Sequence, residues 1–238
     1  MHFQHSGDVW RDFPALVPGL LYAEGITADV PAGSRIDGYA AVAKSRLAES
    51  AESELPEIQA WRRAFASMGL KPTQYRCASE ALLRRFRKEG SLPLLHPLVD
   101  LCNAASLAFA IPVAVLDVSM ITGGIEVRYA TGAEEYLTFG GEVEHPAPGE
   151  VIFADEAARA HARRWTNRQS GLSAVRDSTT AALIVAEALH DSAAADISRL
   201  TANIAADIEA LWSITPSAAV LSASAPRFTF APSQPHQP

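Results

Sequence analysis

HPLVDLCNAASLAFAIPVAVLD, residues 96–117, is an apolar run in which Asp100, Asn103 and Asp117 interrupt what would otherwise be an ordinary buried helix and strand. Val99, Cys102, Ser106 and Phe109 fall on one helical stripe, so the spacing predicts a helix from about Pro97 to Phe109, which Pro112 stops. VAVLDV then has the branched residues of a strand. A buried amide or carboxylate without a partner costs about 1 to 3 kcal/mol. Each of the three polar residues must therefore bond the scaffold or face a pocket, and Asn103 sits one position round from Cys102, at the border of the stripe.

Two helices are predicted upstream. Pro56 suits a first helical position, Ile58, Trp61, Phe65 and Met68 recur at helical spacing, and Gly69 suits a left-handed cap. SEALLRRFRKEG reads as a second helix capped by Ser79 and ended by Gly90, burying Leu82, Leu83 and Phe86 and turning Arg84, Arg85, Arg87 and Lys88 outward. Downstream come a Gly123-Gly124 turn, the strand IEVRYA, EEYLTF with a Gly-Gly turn, the loop HPAPGE and the strand VIFAD. This pattern predicts an α+β fold, an antiparallel or mixed sheet with helices packed against it. Nearer the ends, DVWRDF predicts a short helix, GLLYAEGI a strand and Ala40 to Glu54 a helix running toward Pro56. Residues 194–213 form an amphipathic helix whose polar face carries Asp196, Asp207 and Glu209, and SAAVLSASAPRFTF suggests a further strand. The expected organisation is an N-terminal extension packed on the core (1–60), a central domain (61–190), a helix and strand completing it (191–225) and a flexible tail (226–238).

With 48% hydrophobic residues, 238 positions suffice for one large core or two small ones. No apolar stretch reaches the ~18 residues of a membrane span, and MHFQHSGDVWRDFP lacks the pattern of a secretory signal. The expectation is a cytoplasmic protein with no membrane partner. Cys77 and Cys102 stand in no metal-ligand spacing, so neither a zinc site nor a disulfide framework is expected. The net charge of −7 conceals two basic islands: residues 61–90 hold eight Lys and Arg against two Asp and Glu, and residues 159–176 hold five against none. Such islands are either solvated faces paired to acidic neighbours or a landing site for a polyanion.

VDLCN, IPVAVLD and GGIEVRYATGAEEYLTFGG, in this order, resemble the editing module of the phenylalanyl-tRNA synthetase beta subunit, the tRNA-binding B3/B4 domain. Asp100 and Asn103, Pro112 and Asp117, Val127 and Arg128, then Gly132 with Glu134 or Glu135 keep that family's order and nearly its spacing. MGLKPTQYR, SEALLRR and RRWTNRQS are similar to segments of freestanding relatives of the module. The likeness runs from about Trp61 to Leu189. The synthetase's catalytic core has no counterpart here, so the resemblance implies binding or hydrolysis of aminoacylated tRNA rather than aminoacylation.

The resemblance also implies an amino-acid pocket. Asn103 would position the ester, Glu187 would accept from a side-chain hydroxyl, and Arg168 stands where the family has a glycine-rich turn. Ala114 replaces the family's pocket histidine, eleven residues after the asparagine. Arg84, Arg85, Arg87, Lys88 and Arg164 are the candidate tRNA contacts. For Glu187 the bland alternative is a surface position at the end of a strand or helix, and for Arg128 an ion pair on the sheet. No side-chain nucleophile is expected: Ser106, Ser170, Ser173, Ser178 and the seven histidines form no nucleophile-elbow motif, HExxH is absent, and no metal or cofactor is implied. An activated ester, a neighbouring ribose hydroxyl and a positioned water suffice for such a hydrolysis. The reading is a mischarged aminoacyl-tRNA (aromatic or similar) deacylase. The alternative is a noncatalytic module that kept the fold and binds tRNA, an amino acid or a protein.

Overall fold

The computed structural model describes residues 1–231. In chain order the elements are β1 (His2–His5), α1 (Gly7–Asp12), β2 (Val17–Glu24), α2 (Gly33–Glu49), α3 (Pro56–Ser67), α4 (Ala78–Glu89), α5 (Pro97–Phe109), β3 (Val113–Asp117) and β4 (Gly124–Tyr129). They continue with β5 (Tyr136–Leu137), β6 (Val143–Glu144), β7 (Val151–Asp155), β8 (Ala160–Arg163), β9 (Arg168–Gln169), β10 (Ala181–Ala188), α6 (Ala193–Trp212), β11 (Ser217–Val220) and β12 (Arg227–Thr229). The strands form a six-stranded sheet ordered β12-β1-β4-β7-β8-β9, a four-stranded sheet ordered β11-β2-β10-β3 and the small hairpin β5-β6. Only β1 and β4 pair in parallel within the larger sheet, and the smaller sheet is antiparallel throughout. The fold is α+β.

Strand parity decides which residues share a layer. On β10, Ala182, Ile184 and Ala186 face the helical layer, where they join Leu98, Leu101 and Cys102 of α5 and Ile197, Leu200 and Ile204 of α6. Leu183 and Val185 face the other way, toward Phe3, Val127 and Phe153 of the larger sheet. The same alternation turns Val113 and Val115 of β3 to the helices and Ala114 and Leu116 to the larger sheet. Helix α6 lies close on β2: a Cβ added to Gly19 would come within 2.6 Å of the Ile197 and Thr201 side chains, so only glycine fits.

The ends are woven into the sheets rather than packed on a finished domain. Residues 1–60, expected as an extension, contribute β1 to the larger sheet and β2 to the smaller. The expected tail starts too early, because Arg227–Thr229 pairs with β1, Phe228 and Phe230 are buried, and the Met1 amino group donates to the Phe230 carbonyl at 2.8 Å. The rest of that tail, residues 232–238, lies outside the described residues. Two further expectations change in detail. Helix α4 starts at Ala78 with Cys77 at its cap, and Ser79 is buried inside the first turn rather than capping it. Asp207, expected on a polar face of α6, is buried under α2, where Tyr39 donates to it at 2.7 Å and Arg35 pairs with it.

Two of the three polar residues in residues 96–117 serve the scaffold. Asp100 accepts from the Leu95 amide at 2.9 Å, with burial pushing its carboxyl up. Asp117 accepts from Ser119 Oγ and Thr179 Oγ1, each at 2.6 Å. A parallel arrangement closes the loop after β4, where Glu134 accepts from Arg128 at 2.6 Å and from the Thr131 and Gly132 amides. Burial opposes its charge, yet the Thr131 amide and the Arg128 guanidinium outweigh that and hold the carboxyl at about 2. A depressed carboxyl contributes stability that is present above its unfolded value near 4.5 and is lost as pH falls toward 2. Replacing Glu134 by Gln is therefore expected to destabilise the protein at pH 7 by on the order of 3 kcal/mol and to leave little difference from wild type near pH 2, measured by denaturant unfolding across that range.

Candidate functional site

Glu187 is 1% exposed on β10, with its side chain on the face turned to the larger sheet. His5, at the end of β1, meets Glu187 Oε1 through Nε2 at 2.6 Å, and the Trp165 indole N–H donates to the same oxygen at 2.9 Å. The Trp61 indole donates to the Glu187 carbonyl at 3.3 Å, and the two indoles meet edge to face with centroids 5.0 Å apart. Three elements distant in sequence thus converge on one residue. Both side-chain bonds fall on Oε1, and Oε2 accepts from none of the described residues.

That carboxylate borders a small cavity of about 60 Å³, walled by Pro112, Val113 and Ala114 before and on β3, Phe153 of β7, Val185 of β10 and the turn Trp165–Gln169. Ala114, Arg168 and Glu187 therefore share one cavity, as the parity of β3 and β10 requires. The turn between β8 and β9 is unusual: Arg164 and Trp165 both have positive φ, 48° and 54°. Such a conformation costs non-glycine residues about 1 kcal/mol or more each. It is held by the Trp165 amide on the Val151 carbonyl (2.7 Å), the Arg164 amide on Glu150 (2.9 Å) and complete burial of the Trp165 ring. Thr166 Oγ1, in the same wall, is buried without a partner.

Asn103 is elsewhere. It lines a separate cavity of about 340 Å³ with Ile36, Asp37, Phe86, Leu92 and Leu107. This cavity lies between α2, α4 and α5, whereas Ala114 and Glu187 line the one at β3, β10 and the β8–β9 turn. The expectation that Asn103 and Glu187 meet across one pocket fails because they line different cavities. Ser106 is equally remote from chemistry, its hydroxyl donating to the Ile111 carbonyl at 2.6 Å in the core.

The basic islands divide in the same way. Arg84 and Arg87 bond the buried carboxylate of Glu52 at 3.2 and 2.8 Å, and Arg85 bonds Glu89 at 2.8 Å. With Lys88, the surface around them carries four cations against two acids, a net +2. In the second island Arg159 pairs with Asp155, and Arg163, nearly buried, pairs with Glu144 and Glu150. Arg164 lies over the Tyr75 ring at 4.8 Å, and Arg168, 41% exposed, is 3.4 Å from Glu144. The islands meet at the foot of α4, where the Ala78 amide donates to the Thr166 carbonyl at 2.7 Å and Asn167 donates to the Arg76 carbonyl. Since Ala78 lines the Glu187 cavity, a rise of about 1.5 Å per residue places Arg84 to Lys88 roughly 9 to 15 Å along the helix from it.

Glu57, His190 and Asp196 bring one potential metal ligand each to within 4.8 Å of one another. Arg46 donates to Glu57 at 2.7 Å and Arg199 pairs with Asp196, so two guanidinium groups already balance both carboxylates.

The family model of the B3/4 domain matches residues 60–209, and the chain belongs to that family. It is similar to the phenylalanine–tRNA ligase beta subunit of Cereibacter sphaeroides, 31% identical over 93 residues, which are 39% of this chain and 11% of that protein. Among solved structures it is similar to an N-terminal fragment of the phenylalanyl-tRNA synthetase beta subunit from Pyrococcus horikoshii, with a TM-score of 0.46 and 8% identity over 86% of this chain and 48% of that one. Over those 93 residues the chain is similar to part of an aminoacyl-tRNA synthetase subunit. It spans about a tenth of the curated relative and about half of the solved fragment.

Of the residues gathered at Glu187, sequence reasoning missed His5 and Trp165. Trp165 had a visible signal, a lone aromatic inside a basic island, whereas His5 lies 182 positions from its partner and carried none. Because Trp165 bonds a buried carboxylate, Trp165→Phe is expected to lower stability by about 1 to 3 kcal/mol. In a Glu187→Gln background the same change should cost less, and a double-mutant cycle by chemical denaturation measures the difference.

Proposed function

We propose that this B3/4 domain binds aminoacylated tRNA in the cytoplasm and hydrolyses the ester of a mischarged amino acid, with the amino-acid side chain in the cavity of Ala114, Arg168 and Glu187. The observation that carries this reading is the joining of a buried, donor-seeking carboxylate to a basic helix: α4 starts at the cavity wall and carries Arg84, Arg85, Arg87 and Lys88 away from it. An exposed cationic helix suits the phosphates of the acceptor arm, and Arg164 and Arg168 lie beside the cavity itself. The cavity also bears on the substrate. About 60 Å³ is well short of the roughly 150 Å³ that accommodates benzene, so a short side chain with a hydrogen-bond donor fits, and an aromatic one requires Trp165 to move.

Hydrolysis at this site uses no side-chain nucleophile. Glu187 Oε2 and Thr166 Oγ1 orient the substrate, and the ester is attacked by a water placed by backbone donors and the neighbouring ribose hydroxyl. Ala114 and the small volume favour a second reading, a binding module of the same fold that has lost hydrolysis. The two are separated by the rate of ester loss from tRNAs charged with small, hydroxylated and aromatic amino acids, with and without the purified protein. Acceleration of at least one of them is expected, and binding without acceleration of any supports the second reading.

Within the hydrolytic reading, Ser106→Ala and Asn103→Ala should both leave the rate within a few-fold, because neither reaches the Glu187 cavity. Replacing Arg84, Arg85 and Arg87 together by Ala should weaken tRNA binding and flatten its salt dependence, by roughly 0.7 to 0.9 in the log–log slope for each phosphate that is no longer neutralised. Titration of tRNA binding at several salt concentrations reads this directly.

A further inference from the structure

We infer that His5, outside the residues matched to the family, is the positioning residue that fixes what the Glu187 cavity accepts; this rests on the amino-acid pocket proposed above. His5 is buried on both sides: its side chain is fully shielded, flanked by the Phe3 and Trp10 rings at 5.3 and 5.2 Å, and its Nδ1 has no partner. A bare Nδ1 lone pair is tolerable there, whereas an N–H at that atom would be a buried donor without an acceptor. The geometry therefore selects the tautomer with the proton on Nε2, which donates to Glu187 Oε1 at 2.6 Å.

With Trp165 donating to the same atom, Oε1 is occupied by two N–H groups. The carboxylate cannot turn without breaking both bonds, so Oε2 is held as the acceptor left for a ligand in the cavity. Neither His5 nor Trp165 lends Glu187 a proton to present in return. The cavity therefore selects a ligand that donates a hydrogen bond, a hydroxyl or amino group on a short side chain, over an apolar group of the same shape. His5 does not line the cavity, so it acts through Glu187.

The test compares threonine with its isostere valine, each joined to adenosine by a 3′ amide that cannot be hydrolysed. Binding of the pair is measured to the full-length wild-type protein and to His5→Leu and His5→Gln. Wild type should favour the threonyl compound by roughly ten-fold. His5→Leu, with its thermal unfolding checked, should bring the ratio near one while valyl binding changes little, and His5→Gln, which keeps an N–H near the position of Nε2, should restore much of the preference. Equal binding of the two compounds by wild type, binding of neither, or an undiminished preference in folded His5→Leu would overturn the inference. Because the amides report binding alone, a wild type that discriminates between them but accelerates loss of no aminoacyl ester would sink the hydrolytic reading and leave the role of His5 standing. Should His5→Leu fail to fold, the histidine ring signals of wild type and Glu187→Gln decide: an Nε2–H resonance that does not move when Glu187 is replaced also overturns it.

Discussion

The molecule depends on how one buried carboxylate is satisfied. Glu187 belongs to the smaller sheet, yet the groups that bond its side chain come from β1 and from the β8–β9 turn of the larger one. A carboxylate left unpaired at that depth would cost several kcal/mol, so the two sheets cannot separate, slide or change register without exposing or orphaning it. Trp61 of α3 bonds the same residue's carbonyl and packs on Trp165, which ties the helical side into the joint.

Electrostatics elsewhere follow from burial in the same manner. Arg163 and Arg159 lie in a basic island by sequence, but the fold gives each a carboxylate, and their charge is balanced within the protein. Glu52 does the reverse from the acidic side: nearly buried, it draws Arg84 and Arg87 to it and orders the start of a cationic surface without cancelling it. What remains on that surface is a net +2, smaller than the sequence count, and it lies along α4 outward from the cavity wall.

Within the region matched to the family, several of the longer elements followed from local pattern, whereas β8, β9 and β10 did not. α5 runs from Pro97 to Phe109 as its stripe and the two prolines require, α3 from Pro56, and β4 and β7 from their branched and aromatic residues. The short strand β1 was not legible, because HFQH has too little alternation to separate it from a loop, and its place in the sheet comes from pairing with β4. Asn103 shows the limit of analogy by motif. Its position in the helix was plain, but which cavity its side chain lines is not a local property.

The α+β composition, the periodicity of each longer element, the exposed cationic side of α4 and the likeness to the B3/4 family could all be read along the chain, since each depends on residues within a few turns of one another. Tertiary packing alone established that Glu187 faces the larger sheet, that His5 meets it across 182 positions, that Asn103 lines a different cavity, and that Arg159 and Arg163 are neutralised inside the protein. The physical reason is common to all four. Burial and hydrogen bonding between distant segments fix the energy of a polar side chain, and neither is written in the spacing of its neighbours.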